Sequence, residues 1–139
     1  MLHYQSLGLI EAEKAIAGGI AAAKARNRAM AFAVADHRGE MIATARMDGA
    51  HPRILIHSVR KAYTAAVMCR HTLSFRRDLE QRRGGLDQWG DARLTTLPGG
   101  LVVQSGELVV GAVGTGGGGP DDEAVARAMV EAMGFAVKE

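Results

Sequence analysis

The stretch MAFAVADHRGEMIATARM, Met30–Met47, decides the fold. Met30–Asp36 is a short apolar run carrying Phe32 and Val34, the composition of a buried strand. Asp36-His37-Arg38-Gly39 is a turn and Glu40–Met47 a returning strand, so the segment reads as a β-hairpin. The pattern recurs downstream: Leu101–Gln104, a Ser105-Gly106 turn and Glu107–Gly114 form a second hairpin. Two hairpins require antiparallel pairing, which argues against a doubly wound parallel sheet.

Helical patterns surround both hairpins. Leu7–Arg26 is Ala-rich, with Leu9, Ala12, Ile16 and Ile20 near helical spacing and Ser6 as the expected N-cap. Gly18 and Gly19 weaken this helix but permit a close neighbour. Pro52 opens a helix from about Arg53 to Cys69. A shorter helix follows over Leu73–Arg83, ended by Gly84-Gly85, and Leu86–Leu97, with Trp89, reads as a loop. Pro120 and the acids Asp121, Asp122 and Glu123 open a last helix continuing through Ala124–Met133, with Gly134 as its stop. The expected architecture is a single α/β (α+β) domain over residues 1–139, an antiparallel sheet from two hairpins with helices packed against it.

Composition narrows the function classes. The chain has 139 residues, 47% hydrophobic and 23% charged, with 17 Lys/Arg against 15 Asp/Glu. No apolar run approaches the roughly 18 residues of a bilayer span. The first residues lack a basic stretch followed by an apolar core, so no signal peptide is expected. Cys69 is the one cysteine, which excludes an internal disulfide and fits a cytoplasmic protein. Residues 1–70 hold ten basic against five acidic side chains and residues 101–139 two against six, an asymmetry suited to contacts between copies of the chain. Six aromatics and no recognised motif make nucleic acid an unlikely partner.

Three groups of residues could carry chemistry. Gly111–Glu123 runs from a strand through glycines into a helix, exposing backbone N–H groups that suit a carboxylate, propionate or phosphate. The same residues could equally be a tight connection capped by its own acids; they match neither a Walker A nor a dinucleotide-binding fingerprint. Arg46-Met47-Asp48-Gly49-Ala50-His51 offers a guanidinium fork for a carboxylate and an imidazole for acid–base or metal work, or else a mere Arg46–Asp48 surface pair. On the helix that follows, His57, Lys61 and Thr64 share one face, which in amphipathic helices is usually the solvated one, while Leu55, Val59, Ala62 and Ala66 are the expected core positions. The five histidines show no HExxH and no structural zinc spacing, so no metal site is expected. Covalent haem attachment lacks its CxxCH, whereas non-covalent haem needs only one ligating side chain.

Taken in order, several pieces resemble the GlcG/HbpS-like family, which includes the C-terminal domain of PduO-type proteins. They are Val34-Ala35-Asp36 with Gly39, Ala45-Arg46-Met47-Asp48-Gly49-Ala50, Lys61-Ala62-Tyr63-Thr64-Ala65-Ala66, Pro98-Gly99-Gly100, Gly111–Gly117 and Asp122-Glu123 with Val125-Ala126. Nearly the whole chain is covered. The resemblance implies a profilin-like sheet between helices and homo-oligomers, octamers among them. It also implies a small ligand, haem for some members and corrinoid or glycolate metabolism for others. Arg46, Asp48, Lys61, Thr64 and the Gly114-Thr115-Gly116 loop are then expected to face one pocket. The chain differs from the commoner pattern at His57-Ser58, at Cys69-Arg70-His71 and in the arginine-rich Arg76–Arg83.

Two functions compete. One is a homo-oligomeric binding module for haem or another anionic planar cofactor. There Arg46, Asp48, Lys61, Thr64 and Gly114–Gly116 would contact the ligand, with His51 or His57 as the iron ligand. The other is a small catabolic enzyme (hydratase, dehalogenase, isomerase or lyase) acting on a carboxylated intermediate of organic-acid or aromatic degradation. There Arg46 would anchor the substrate and His57 or Lys61 would move protons. An assembly protein with a vestigial pocket is the third reading.

Overall fold

The computed structural model describes residues 1–139. Helix α1 spans Leu9–Ala25 and strands β1 and β2 span Ala31–Asp36 and Met41–Arg46. Helices α2 and α3 follow at Pro52–Met68 and Thr72–Gln81, then a 3-10 turn at Leu86–Trp89. Strands β3 and β4 span Gly100–Ser105 and Leu108–Gly116, and α4 spans Asp122–Ala132. The four strands form one sheet in the order β2-β1-β4-β3, and every neighbouring pair is antiparallel. This is the two-hairpin sheet expected from the sequence. The hairpins meet through β1 and β4, with Ala31 opposite Gly116 and Asp36 opposite Gly111.

The sheet is covered on both sides, and its two faces differ in residue size. Along β1, Phe32 and Val34 point to one face and Ala33 and Ala35 to the other, the alternation a strand imposes. Phe32, Val34, Leu101, Val103 and Val113 join Ala12 and Ala15 of α1 and Val125, Met129 and Val130 of α4 in the larger core. The opposite face is made of Ala33, Ala35, Val102 and Ala112, against Ala62, Ala65 and Ala66 of α2. Small side chains on both surfaces let α2 lie very close to the strands.

Gly114 shows how close. A Cβ there would stand 2.1 Å from the Ser58 carbonyl oxygen and 2.6 Å from the Ala62 nitrogen. At Gly116 it would stand 2.9 Å from the Ile54 carbonyl oxygen. Both glycines therefore belong to β4 and make room for the α2 backbone, where the sequence suggested a loop. Gly18 and Gly19 do the same for α1: a Cβ would meet Ala132 at 2.5 Å and Phe32 at 2.8 Å, respectively.

Several local expectations are corrected. Gly8, not Ser6, caps α1; its N–H donates to the Glu11 carboxylate at 3.1 Å. Ser6 instead accepts from the His37 N–H at 3.1 Å, tying the N-terminal segment to the β1–β2 turn. Leu86–Trp89 is a 3-10 turn, with the Trp89 ring edge-on to Phe75, so that part of the expected loop is ordered by packing. The last helix starts at Asp122, and Pro120, expected in its first turn, lies in a 3-10 turn at Gly119–Asp121 that leads straight into it.

Candidate functional site

The first candidate residues occupy the inner side of α2. Lys61 is buried, with its ammonium 2.7 Å from the Thr115 carbonyl oxygen and 3.1 Å from Asp122 Oδ2. Thr115 is also buried, and its hydroxyl donates to the Asp122 carbonyl at 2.7 Å. Asp122 Oδ1 accepts the Gly118 N–H at 2.8 Å. One carboxylate at the start of α4 therefore takes both the lysine and a backbone donor of the glycine turn, where Gly117 adopts φ +91°. The chain's own acid occupies the position in which an external anion was weighed. Its neighbour Asp121 pairs with Arg28 at 3.3 Å.

Thr64 is buried on the same helix, its hydroxyl accepting the Thr95 N–H at 3.0 Å. His57, one turn before Lys61, is half-buried and takes part in none of the side-chain hydrogen bonds. The expected solvated stripe is therefore a covered face. The Thr95–Gly100 segment lies over it, with the Thr95 N–H bonded to Thr64 and Gly99 beside the Lys61 ammonium.

Arg46, Asp48 and His51 lie elsewhere, at the end of β2 and on its connection to α2, and all three are exposed. Arg46 Nη1 donates to the Ala50 carbonyl at 3.2 Å. His51 is the N-cap of α2, its Nδ1 accepting the Arg53 N–H at 3.1 Å, which satisfies one of the helix's open donors. The structure brings Lys61 and Thr115 together with Asp122, and leaves Arg46, Asp48 and His51 apart from them. Gly114 and Gly116 lie against the α2 backbone and leave no space for a ligand between β4 and that helix.

A wide concavity lies on the outer side of α2. Its volume is 560 Å³, within the roughly 300–1,000 Å³ range of small-molecule pockets. Leu55, Ile56, Val59 and Tyr63 supply one wall from α2, and Gly39, Glu40 and Met41 the other from the β1–β2 turn and the start of β2. Arg60 and Arg93 bring guanidinium groups to it. None of His51, His57, Lys61 or the other expected site residues lines this groove.

A polar couple closes one end. Tyr63 donates its phenol hydrogen to Asp91 Oδ2. Asp91 Oδ1 accepts from the Arg93 backbone N–H at 3.0 Å and from Arg93 Nε at 3.2 Å. The Arg93 guanidinium carbon lies 4.1 Å from the centre of the Tyr63 ring, within cation–π range. Burial, reinforced by the Asp91 carboxylate, pushes the Tyr63 phenol above its ordinary range. The phenol hydrogen bond, with the Arg93 N–H, holds Asp91 below the usual carboxylate value.

Sequence reading missed these groove residues. Leu55 and Val59 were expected in the core, yet they are half-buried and line the groove. The available signal was the width of the apolar arc on α2. Leu55, Val59 and Tyr63 repeat every four residues on a side away from Ile54 and Ala65, and one sheet cannot cover both rows. Asp91 and Arg93 lie in an irregular segment where spacing carries no such signal.

Fold and site together define an α+β protein, a four-stranded antiparallel sheet between helices, with a solvent-facing groove beside α2. Residues 7–131 match the model of the HbpS-like family, described as haem-degrading protein HbpS-like. The chain belongs to that family. Among solved structures it is similar to Klebsiella pneumoniae protein ORFY, with 26% identity over 96% of this chain and 94% of the other and a TM-score of 0.88. A double mutant of Streptomyces reticuli HbpS is 29% identical over 94% and 89% of the two chains, with a TM-score of 0.85. A PduOC–haem complex has the same fold at 20% identity over 96% and 99%, with a TM-score of 0.86. No curated protein sequence matches the chain significantly. No helix is long and apolar enough to cross a membrane.

Proposed function

We propose that this chain is a small-ligand-binding protein that holds a flat, carboxylate-bearing molecule of the haem class in the groove outside α2. The observation that carries this reading is the pairing of an apolar wall, Leu55, Ile56 and Val59, with two guanidinium groups, Arg60 and Arg93, in one 560 Å³ space. An aromatic macrocycle gains from burial on such a wall, and a guanidinium is the side chain best matched to a carboxylate. Arg60 takes part in none of the chain's ion pairs and is free for this role. Residues 53–93 carry nine Lys/Arg against four Asp/Glu, a positive field that favours an anionic ligand on this layer. The family description and the haem complex of PduOC lend support to haem as the member of that class.

Catalysis by Lys61 is disfavoured by its surroundings. To move a proton, the ammonium would have to leave Asp122 and the Thr115 carbonyl, both of which hold it in a buried site. The homo-oligomer implied by the resemblance is part of the proposal, and Leu9 and Ile10, 57% and 70% exposed on α1, are the surface that another copy would cover.

A hemin titration followed by absorbance tests the reading, with sedimentation on the same samples. Saturable, stoichiometric binding is expected for the wild-type chain, and at least about tenfold weaker binding for Val59→Asp, which puts a charge into the apolar wall. Non-saturating binding, or a Val59→Asp variant as good as wild type, would remove the groove from consideration. A monomer at every concentration would remove the oligomer.

A further inference from the structure

The groove offers a haem-class ligand a great deal of apolar surface and two cations, but little for an iron atom. None of its lining residues is a histidine or cysteine. Met41 is half-buried and packs against both the alanine cluster under α2 and the Tyr63–Phe75–Leu94 cluster, so its thioether is already used in packing. Of the axial ligands that haem proteins use, Tyr63 is the remaining one in the groove, and it would have to serve as a phenolate. Its hydrogen is donated to Asp91, a carboxylate with no capacity to donate one back when ionised, and the Arg93 guanidinium covers its ring. Burial and Asp91 favour the neutral phenol and outweigh the opposing pull of the Arg93 cation.

Arg93 is arranged for the opposite task. Asp91 fixes it through the backbone N–H and Nε, and the Tyr63 ring fixes its plane. Its two terminal nitrogens enter no hydrogen bond within the chain, and the side chain is 63% exposed. A guanidinium held by one edge, with the other edge open, is ready for a carboxylate and loses little freedom on binding one. Arg60 stands on α2 one turn before Thr64 and three residues before Tyr63, so it presents a second cation to the same space.

Resting on the reading that the groove is the ligand site, we infer that the groove recognises the carboxylate edge and flat face of a tetrapyrrole and not its metal. Its ligand class is dicarboxylate macrocycles with or without iron, and Tyr63 acts as a positioning residue that orients Arg93 rather than as an axial ligand.

The test compares hemin with metal-free protoporphyrin, by absorbance for the first and fluorescence for the second. The proteins are the wild-type chain, Arg60→Gln/Arg93→Gln, Tyr63→Phe, His51→Ala and His57→Ala. The two porphyrins should bind wild type within about threefold of each other, and both should bind the double arginine variant at least about tenfold more weakly. Tyr63→Phe keeps the ring under Arg93, so the Soret position and the electron-spin resonance of the ferric complex should not change. His51→Ala and His57→Ala should also leave both signals as they are. Hemin bound more than about tenfold tighter than the metal-free ring, or a spectral change in any of those three variants, would overturn the inference while leaving the groove as the binding site. Failure of both porphyrins to bind saturably would overturn the inference together with the reading it rests on.

Discussion

The two long sides of α2 use similar residues for different ends. On the inner side, Lys61 meets Asp122 at 3.1 Å with both side chains largely covered, 4% and 13% exposed. On the outer side, Arg93 meets Asp91 at 3.2 Å with side chains 63% and 25% exposed. Each is a cation–carboxylate pair tying α2 to a distant segment, one directly and one through Tyr63. The inner pair is largely shielded from water, so its worth is structural and its loss severe. The outer pair is screened and worth little to stability, which leaves the free edge of Arg93 available for a ligand. Burial, more than residue type, separates the scaffold from the site.

The sharpest way to break the comparison is at the closest approach on the inner side. Gly114→Ala places a methyl group 2.1 Å from the Ser58 carbonyl oxygen, and both atoms belong to backbone held by the sheet and the helix. We expect a loss of about 3 kcal/mol or more, or no cooperative folding, in urea denaturation. A variant as stable as wild type would mean that α2 can lift off the sheet. The small-residue face would then not be what sets its height.

Lys61→Met comes next. It removes one partner of a buried pair and leaves Asp122 with the Gly118 N–H alone, a change of about 3 kcal/mol, since Asp122 keeps some exposure. Adding Asp122→Leu should restore part of the loss, and the double-mutant cycle measures the coupling directly. A single variant within about 0.5 kcal/mol of wild type would place Lys61 among the surface pairs and reopen its chemistry.

These effects also mark what the sequence could disclose. The hairpins were legible because Asp36–Gly39 and Ser105-Gly106 are turn chemistry between apolar runs. The helices were legible because their spacing is regular. The glycines of Gly114–Gly116 were legible as special but not as to purpose: a glycine that admits a ligand and one that admits a helix backbone look the same until the helix is placed. His57, Lys61 and Thr64 were rightly grouped on one face, yet the segment that buries Lys61 and Thr64 lies some thirty to fifty residues later in the chain, with Thr95 and Thr115 as the contacts. The groove itself was half legible, in the surplus apolar row Leu55–Val59–Tyr63. Its arginine from the Asp91–Arg93 segment was beyond any local pattern.

The smallest expected effect lies on the outer side and shows itself through pH. The folded state raises the Tyr63 phenol above its ordinary 10.0, through burial first and Asp91 second. A group raised on folding contributes stability that is complete below its unfolded value and is lost as the pH climbs through the folded one. It lowers Asp91 from 3.8, through the Tyr63 hydrogen bond first, so that contribution is complete above 3.8 and fades as the pH falls through the folded value. Tyr63→Phe removes the first effect and the main cause of the second. In urea denaturation across the pH range it should flatten both limbs while changing stability little between them, since the hydrogen bond it removes ends on an exposed carboxylate. If Tyr63→Phe instead shifted the profile down uniformly, the phenol would be part of the buried framework. The distinction between the two sides of α2 would then fail where the groove begins.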